Sequence, residues 1–157
     1  MTIVAPGTPV PEFTLRREDG RRFTQEDIAG QTAVLVFYPH AFSPVCTDQL
    51  NLYEEVLDQL TAQGATLYGV SCDSIWAQRA FKEKLGISIE LLSDFEPKGA
   101  TCRALGVYHP KGFPQRAIVI VGPDGVVQWS YEAEHPGVLP GANLIFDALD
   151  AAHLGST

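Results

Sequence analysis

The chain has little cysteine, three residues in 157, and no two of them form a Cys-x-x-Cys pair. An odd count at irregular spacing excludes a framework of structural disulfides and leaves buried, reactive or redox roles for Cys46, Cys72 and Cys102. No histidine accompanies them at zinc-finger spacing, so no structural metal is expected. Positive charge is scarce as well: 11 Lys and Arg face 19 Asp and Glu, for a net charge of −8. That balance repels a phosphate backbone, and no dense basic block opposes it, so nucleic acid is not an expected partner. No apolar run approaches the roughly 20 residues that span a bilayer. The opening MTIVAPGTPVPEFTL has neither a basic region nor a long apolar stretch. A secretory signal is therefore not expected, and the cytoplasm is the expected location. Repeats, low-complexity tracts and internal linkers are also missing, and the length suits one domain over residues 1–157.

What is present reads as alternating strands and helices. Glu12–Leu15, the turn pair Asp19-Gly20 and Arg21–Phe23 predict a small N-terminal hairpin. Thr24 with Asp27 predicts a short capped helical turn around Gln25–Ala29. Ala33–Tyr38 is a continuous apolar, β-rich run, the pattern of a strand buried on both faces. One long helix is expected next, with Leu50, Tyr53, Leu57 and Leu60 on its buried side and Gly64 at its end. A second strand over Thr66–Ser71, a helix over Ile75–Leu85 and a third helix over Pro97–Leu105, closing at Gly106, follow. Ala117–Val121 and Val126–Trp129 flank Pro123-Asp124-Gly125 as a hairpin, and Leu144 to Ala152 form a last amphipathic helix. This order implies an α/β sandwich around a mixed sheet, its first two core strands parallel and its late hairpin antiparallel.

The chemistry points to the turn after the first core strand. Ser43 is a good helix N-cap and Pro44 suits the first helical position, which puts Cys46 at the third. There it lies beside backbone N–H groups and the positive end of the helix dipole, a setting that stabilises a thiolate. In open α/β sheets, sites also form at the carboxyl ends of strands. The residues alone leave two roles for Cys46, a reactive thiol or a buried small hydrophobe.

The pattern Pro39-x-x-x-Ser43-x-x-Cys46 resembles the peroxiredoxin signature. The resemblance extends to Ala5-Pro6-Gly7, Pro11 to Leu15, Phe37-Tyr38-Pro39, Val70 to Ser74, Leu91 to Asp94 and an arginine, Arg116, opening a late apolar strand. It covers nearly the whole chain. Ala41-Phe42-Ser43 and Ser93-Asp94-Phe95-x-Pro97-x-Gly99-Ala100 are most similar to the alkyl hydroperoxide reductase E subgroup. The resemblance implies a thioredoxin-like α/β fold, a central mixed sheet flanked by helices after an N-terminal hairpin. It implies a thiol peroxidase needing no metal, haem or flavin, in which Cys46 attacks the peroxide and becomes a sulfenic acid. Ser43, Arg116 and Pro39 would complete the site, with Gln49, at a position that is Glu or Gln in the family, in support. The expected partners are a hydroperoxide, an external thiol or a thioredoxin- or glutaredoxin-like reductant, and a second copy of the chain.

Resolution of the sulfenic acid stays open at this level. The family's common short-range pattern has a second cysteine five residues after the first, where this chain has Asn51. Cys72, at the end of the strand beside that of Cys46, and Cys102, in the third helix, are both candidates, and both read equally as inert buried thiols. One-cysteine chemistry with an outside thiol is the default expectation. Three rival functions use the same residues: a non-catalytic oxidant sensor, a disulfide oxidoreductase, which the lack of Cys-x-x-Cys disfavours, and a Cys–His hydrolase built on His40.

Overall fold

The computed structural model describes residues 2–155. A short hairpin, β1 (Thr14–Arg16) and β2 (Arg22–Thr24), precedes β3 (Thr32–Phe37), α1 (Pro44–Glu55), α2 (Leu57–Ala62) and β4 (Ala65–Ser71). Then come α3 (Ile75–Leu85), β5 (Glu90–Ser93), α4 (Ala100–Ala104), the hairpin β6 (Ala117–Val121) and β7 (Val127–Glu132), and α5 (Ala142–Gly155). The strands form one sheet of seven in the order β2-β1-β5-β4-β3-β6-β7. β3 pairs in parallel with β4, and β4 with β5, through helical crossovers, whereas β6 runs antiparallel to both β3 and β7. The mixed sheet and its N-terminal hairpin are those expected from the residue pattern.

Strand alternation sorts the apolar residues into two layers. Ala33, Leu35, Phe37, Tyr68, Val70, Ala117 and Val119 face one side, where Phe13, Leu15, Phe23, Leu105 and Val107 cover them. Val34, Val36, Tyr38, Leu67, Ile118 and Ile120 face the other, against Leu50, Tyr53, Leu60, Phe81, Ile145 and Leu149 of the helices. Successive side chains of a strand point to opposite faces, so a continuous apolar run such as Ala33–Tyr38 serves both layers. Gly69 belongs to the second layer by alternation; a Cβ there would stand 2.7 Å from Leu91 and 3.2 Å from Tyr38.

Three local expectations change. The single helix after β3 is interrupted at Val56, whose N–H bonds to the Tyr53 carbonyl three residues back and whose own carbonyl accepts from both Gln59 and Leu60. The segment after β2 is a chain of turns, since Asp27, Ala29 and Gln31 each bond only to the carbonyl three residues earlier. Its cap is nevertheless there, with Asp27 accepting from the Thr24 N–H at 2.7 Å. The third helix begins only at Ala100, because Gly99 is left-handed (φ 72°) and stands as its N-cap.

Candidate active site

β3 delivers the chain to the turn Tyr38–Ser43, and the turn delivers Cys46. Ser43 occupies the N-cap position with extended backbone (φ −68°, ψ 150°) and Pro44 the first helical one, but the Ser43 hydroxyl makes no capping bond. The first helical hydrogen bond is Thr47 N–H to the Ser43 carbonyl, 2.9 Å. The N–H groups of Val45 and Cys46 therefore have no hydrogen-bond partner among the described residues. The sequence placed Cys46 correctly at the helix start; the correction concerns Ser43, which holds the N-cap position without forming the cap bond and so leaves these N–H groups without a side-chain acceptor among the described residues.

Arg116 arrives by strand register. β6 runs antiparallel to β3 with Ala117 opposite Phe37, so the residue before β6 lies beside the point where β3 turns into the cysteine loop. Arg116 is 2% exposed. Its Nη2 donates to Cys46 Sγ at 3.1 Å, its Nη1 to Gln49 Oε1, and its Nε to the Pro136 carbonyl at 2.7 Å. None of these partners is a carboxylate. A buried guanidinium carries a desolvation penalty of several kcal/mol, and the group nearest it that can bear negative charge is the Cys46 sulfur. Gln49 is fixed in turn: its Nε2 donates to the Tyr53 hydroxyl at 3.3 Å, which donates to the Pro140 carbonyl at 2.7 Å. Burial pushes the Tyr53 phenol up to about 12, so it stays a neutral donor.

Asp73 is a site residue that sequence reasoning passed over. Its carboxylate accepts from the Ala41 N–H at 2.8 Å and the Ser71 hydroxyl at 2.7 Å, and the Ser93 hydroxyl donates to its carbonyl at 2.6 Å. These bonds tie the cysteine turn to the ends of β4 and β5. Phe42, between Ala41 and Ser43, adopts a positive φ of 69°, sparsely populated for a residue with a side chain. Its ring packs on Phe81 at 5.1 Å and lies 5.8 Å from Lys84 Nζ. The signal available in the sequence was Val70-Ser71-Cys72-Asp73-Ser74, where a carboxylate follows a strand end. Pro39 is buried beneath the turn. Tyr38 donates its hydroxyl to Gln78, which donates to the Leu92 carbonyl at 2.8 Å, and burial raises the Tyr38 phenol far above its ordinary range.

Cys46 is fully buried in the helix-side layer with Tyr38, Leu50 and Tyr53. Cys72 does follow the strand next to β3, as expected, but both Cys72 and Cys102 lie in the opposite layer of the sheet. They are not brought to Cys46; they are brought to each other and to Asp94, with ligand-type atoms all within 4.8 Å of one another. His40 is exposed, its ring 5.2 Å from that of Phe113, and no hydrogen bond joins it to Cys46 among the described residues. Two surface clefts, one beside β1, β2 and the start of α4 and one between β7 and α5, do not include Cys46.

Comparison with known proteins bears on the family and the fold. The family model described as "AhpC/TSA family" matches residues 6–130. Peroxiredoxin bcp1 of Schizosaccharomyces pombe is 36% identical over 101 residues, 64% of this chain and 51% of that protein. The chloroplastic peroxiredoxin Q of Oryza sativa subsp. japonica is 34% identical over 91 residues, 58% of this chain and 42% of that protein. The chain thus spans about half the length of the curated relatives it matches. Among solved structures, AhpC of Enterococcus faecalis superposes with a TM-score of 0.88 at 27% identity, covering 96% of this chain and 93% of that one. The fold is the thioredoxin-like fold of the peroxiredoxins. With four-fifths of its length inside the matched region and a buried cysteine at a helix start facing an arginine, the chain belongs to the AhpC/TSA family of peroxiredoxins.

Proposed function

We propose that this protein is a thiol-dependent peroxidase that reduces hydrogen peroxide or organic hydroperoxides through Cys46, as a single domain over residues 1–157. The observation that carries the reading is the 3.1 Å bond from Arg116 Nη2 to Cys46 Sγ at the first turn of α1. In the reaction the Cys46 thiolate attacks one peroxide oxygen in line. An S–O bond forms, the O–O bond breaks, and the departing oxygen takes a proton to leave as water or alcohol. Negative charge moves from sulfur to the departing oxygen as this happens. The guanidinium of Arg116 and the N–H groups of Val45 and Cys46 are oriented in advance to stabilise that charge. The Ser43 hydroxyl, not engaged in a cap, is available to hold the peroxide, and Pro39 keeps water from the floor of the turn.

Two external thiols then complete the cycle. The first attacks the sulfenic sulfur, releasing water and leaving a mixed disulfide; the second releases the oxidised reductant and restores Cys46. Asn51 at the position of a nearby second cysteine, and the location of Cys72 and Cys102 in the other layer, favour this one-cysteine course, that of the alkyl hydroperoxide reductase E subgroup. Since Cys46 is buried, a reductant of thioredoxin or glutaredoxin kind reaches it only after the Asp73-held turn opens. The reading includes a homodimer and a cytoplasmic setting; no described helix is long and apolar enough to cross a membrane. The test is stopped-flow consumption of a stoichiometric hydroperoxide by reduced protein. Wild type is expected to consume one equivalent rapidly at Cys46 and Cys46→Ser to lack that phase; equal rates for the two would refute the reading.

A further inference from the structure

The thiols that the peroxide site leaves unused are placed together by the fold. Ser71 pairs with Ser93, so Cys72 and Asp94 leave adjacent parallel strands side by side. The Asp94 N–H bonds to the Ser71 carbonyl at 2.8 Å, which holds the two strand ends in step. The Asp94 carboxylate accepts from the Thr101 N–H at 3.1 Å and the Cys102 N–H at 2.8 Å. By capping α4 in this way it draws the helix across the strand ends. Cys102 thereby comes to Cys72, with both sulfurs and a carboxylate oxygen mutually within 4.8 Å. Three residues from three separate elements thus converge in the layer that Cys46 does not share.

We infer that Cys72 and Cys102 are a second redox site of this protein, a dithiol that closes to a Cys72–Cys102 disulfide when a two-electron oxidant of the hydroperoxide class reaches it. Cys72, at 8% exposed, lies nearer the surface than Cys102, at 0%, and is the residue the oxidant meets first. The Cys72 sulfur attacks the peroxide: an S–O bond forms, the O–O bond breaks, and the departing oxygen leaves protonated as water or alcohol. The Cys102 sulfur then attacks the Cys72 sulfur. The S–S bond forms, the S–O bond breaks, the Cys102 proton passes to the Asp94 carboxylate, and the hydroxide leaves as water once protonated. In sum, two thiols and one hydroperoxide give one disulfide, water, and water or alcohol. Asp94 fits the role of proton acceptor: it touches Cys102, and burial holds its carboxyl above the ordinary carboxylate range. The hydrogen bond with Cys72, then burial and the neighbouring Asp94, also keep the Cys102 thiol protonated until then. The closed form joins the end of β4 to α4 around the segment that carries α3 and β5.

The site is tested in the full-length Cys46→Ala variant, where failure of the Cys46 reading cannot obscure the result. Reduced protein is treated with hydrogen peroxide, and separately with diamide, a thiol oxidant that bypasses the peroxide step. The expected result with either is a mass loss of two hydrogens and a Cys72–Cys102 linked peptide that disappears on reduction. Closing a loop of this size should also raise Tm by about 5–10 °C. In Cys46→Ala/Cys102→Ala, peroxide should instead leave a sulfenic acid on Cys72 that dimedone captures. Two free thiols in folded Cys46→Ala after a large excess of both oxidants would overturn the inference. So would a wild-type peptide map in which the only disulfide involves Cys46; wild type also serves as the readout should the alanine variant fold poorly.

Discussion

Replacing Arg116 by methionine separates the contribution of the guanidinium to reactivity from its contribution to folding. The substitution fills similar space, removes the charge, and deletes three donors, to Cys46 Sγ, Gln49 Oε1 and the Pro136 carbonyl. For stability the changes oppose one another. Relief from burying a cation returns several kcal/mol. Two acceptors left without a donor, Gln49 Oε1 and the Pro136 carbonyl, cost about 1–3 kcal/mol each. The net should lie within about 2 kcal/mol of wild type in urea unfolding. Reactivity has no such compensation. Removing one preorganised donor from the position where charge develops typically lowers a rate by about 10²–10³, or roughly 3–4 kcal/mol of barrier. Stopped-flow peroxide consumption at pH 7 should therefore fall by about that factor in Arg116→Met. Arg116→Lys should recover little of the loss, since one ammonium cannot reproduce the guanidinium fork that spans Cys46 and Gln49. A folded Arg116→Met that consumes peroxide within threefold of wild type would refute the assignment of Arg116 to charge stabilisation.

Other substitutions probe the supports of the site. Asp73→Asn keeps the shape but trades a charged acceptor for a neutral one at Ala41 N–H and the Ser71 hydroxyl. It should lower stability by about 1–2 kcal/mol in urea unfolding and speed labelling of Cys46 by a thiol reagent as the turn opens more often. Asp94 has a folded-state value raised by burial, so the native state holds its proton more firmly than the unfolded chain does. Its contribution is present below the ordinary carboxylate range and is lost as pH rises through the raised folded value. Wild type should accordingly lose ground to Asp94→Asn across that window when unfolding is measured from acid upward; a gain would contradict the assigned direction. Gly106→Ala should destabilise by at least about 1–2 kcal/mol from backbone strain alone, read as a lower urea midpoint. Gly106 has φ 75°, and a Cβ there would strike the Thr2 backbone.

Most of the framework was legible in the sequence because it follows from local rules. Ala33–Tyr38 is apolar at every position and became the β3 region that faces both layers; Pro123-Asp124-Gly125 joined an antiparallel pair; Ile75–Leu85 became α3 with Ser74 capping it. Ser43-Pro44 likewise set the start of α1 and with it the address of Cys46. Boundaries were less legible where the outcome depended on a single backbone conformation, as at Val56 and Gly99.

By itself, then, the sequence determined most of the order of elements, the parallel pairing of the first two core strands, the antiparallel late hairpin, and a cysteine at a helix start with arginine opening a later strand; β5 and its pairings with β4 and β1 were not read from it. Those features rest on side-chain period, capping and turn preference, each confined to a few neighbouring residues. Only the tertiary structure decided what the three cysteines face. Strand alternation sends Cys72 to the layer opposite Cys46, and the Asp94 cap on α4 brings Cys102 to it. The same long-range packing left the Ser43 hydroxyl out of its cap, set Asp73 under the cysteine turn, and surrounded Arg116 with one sulfur and neutral oxygens. These contacts join residues far apart in the chain, and their geometry is created by sheet register and layer packing, which no local pattern contains.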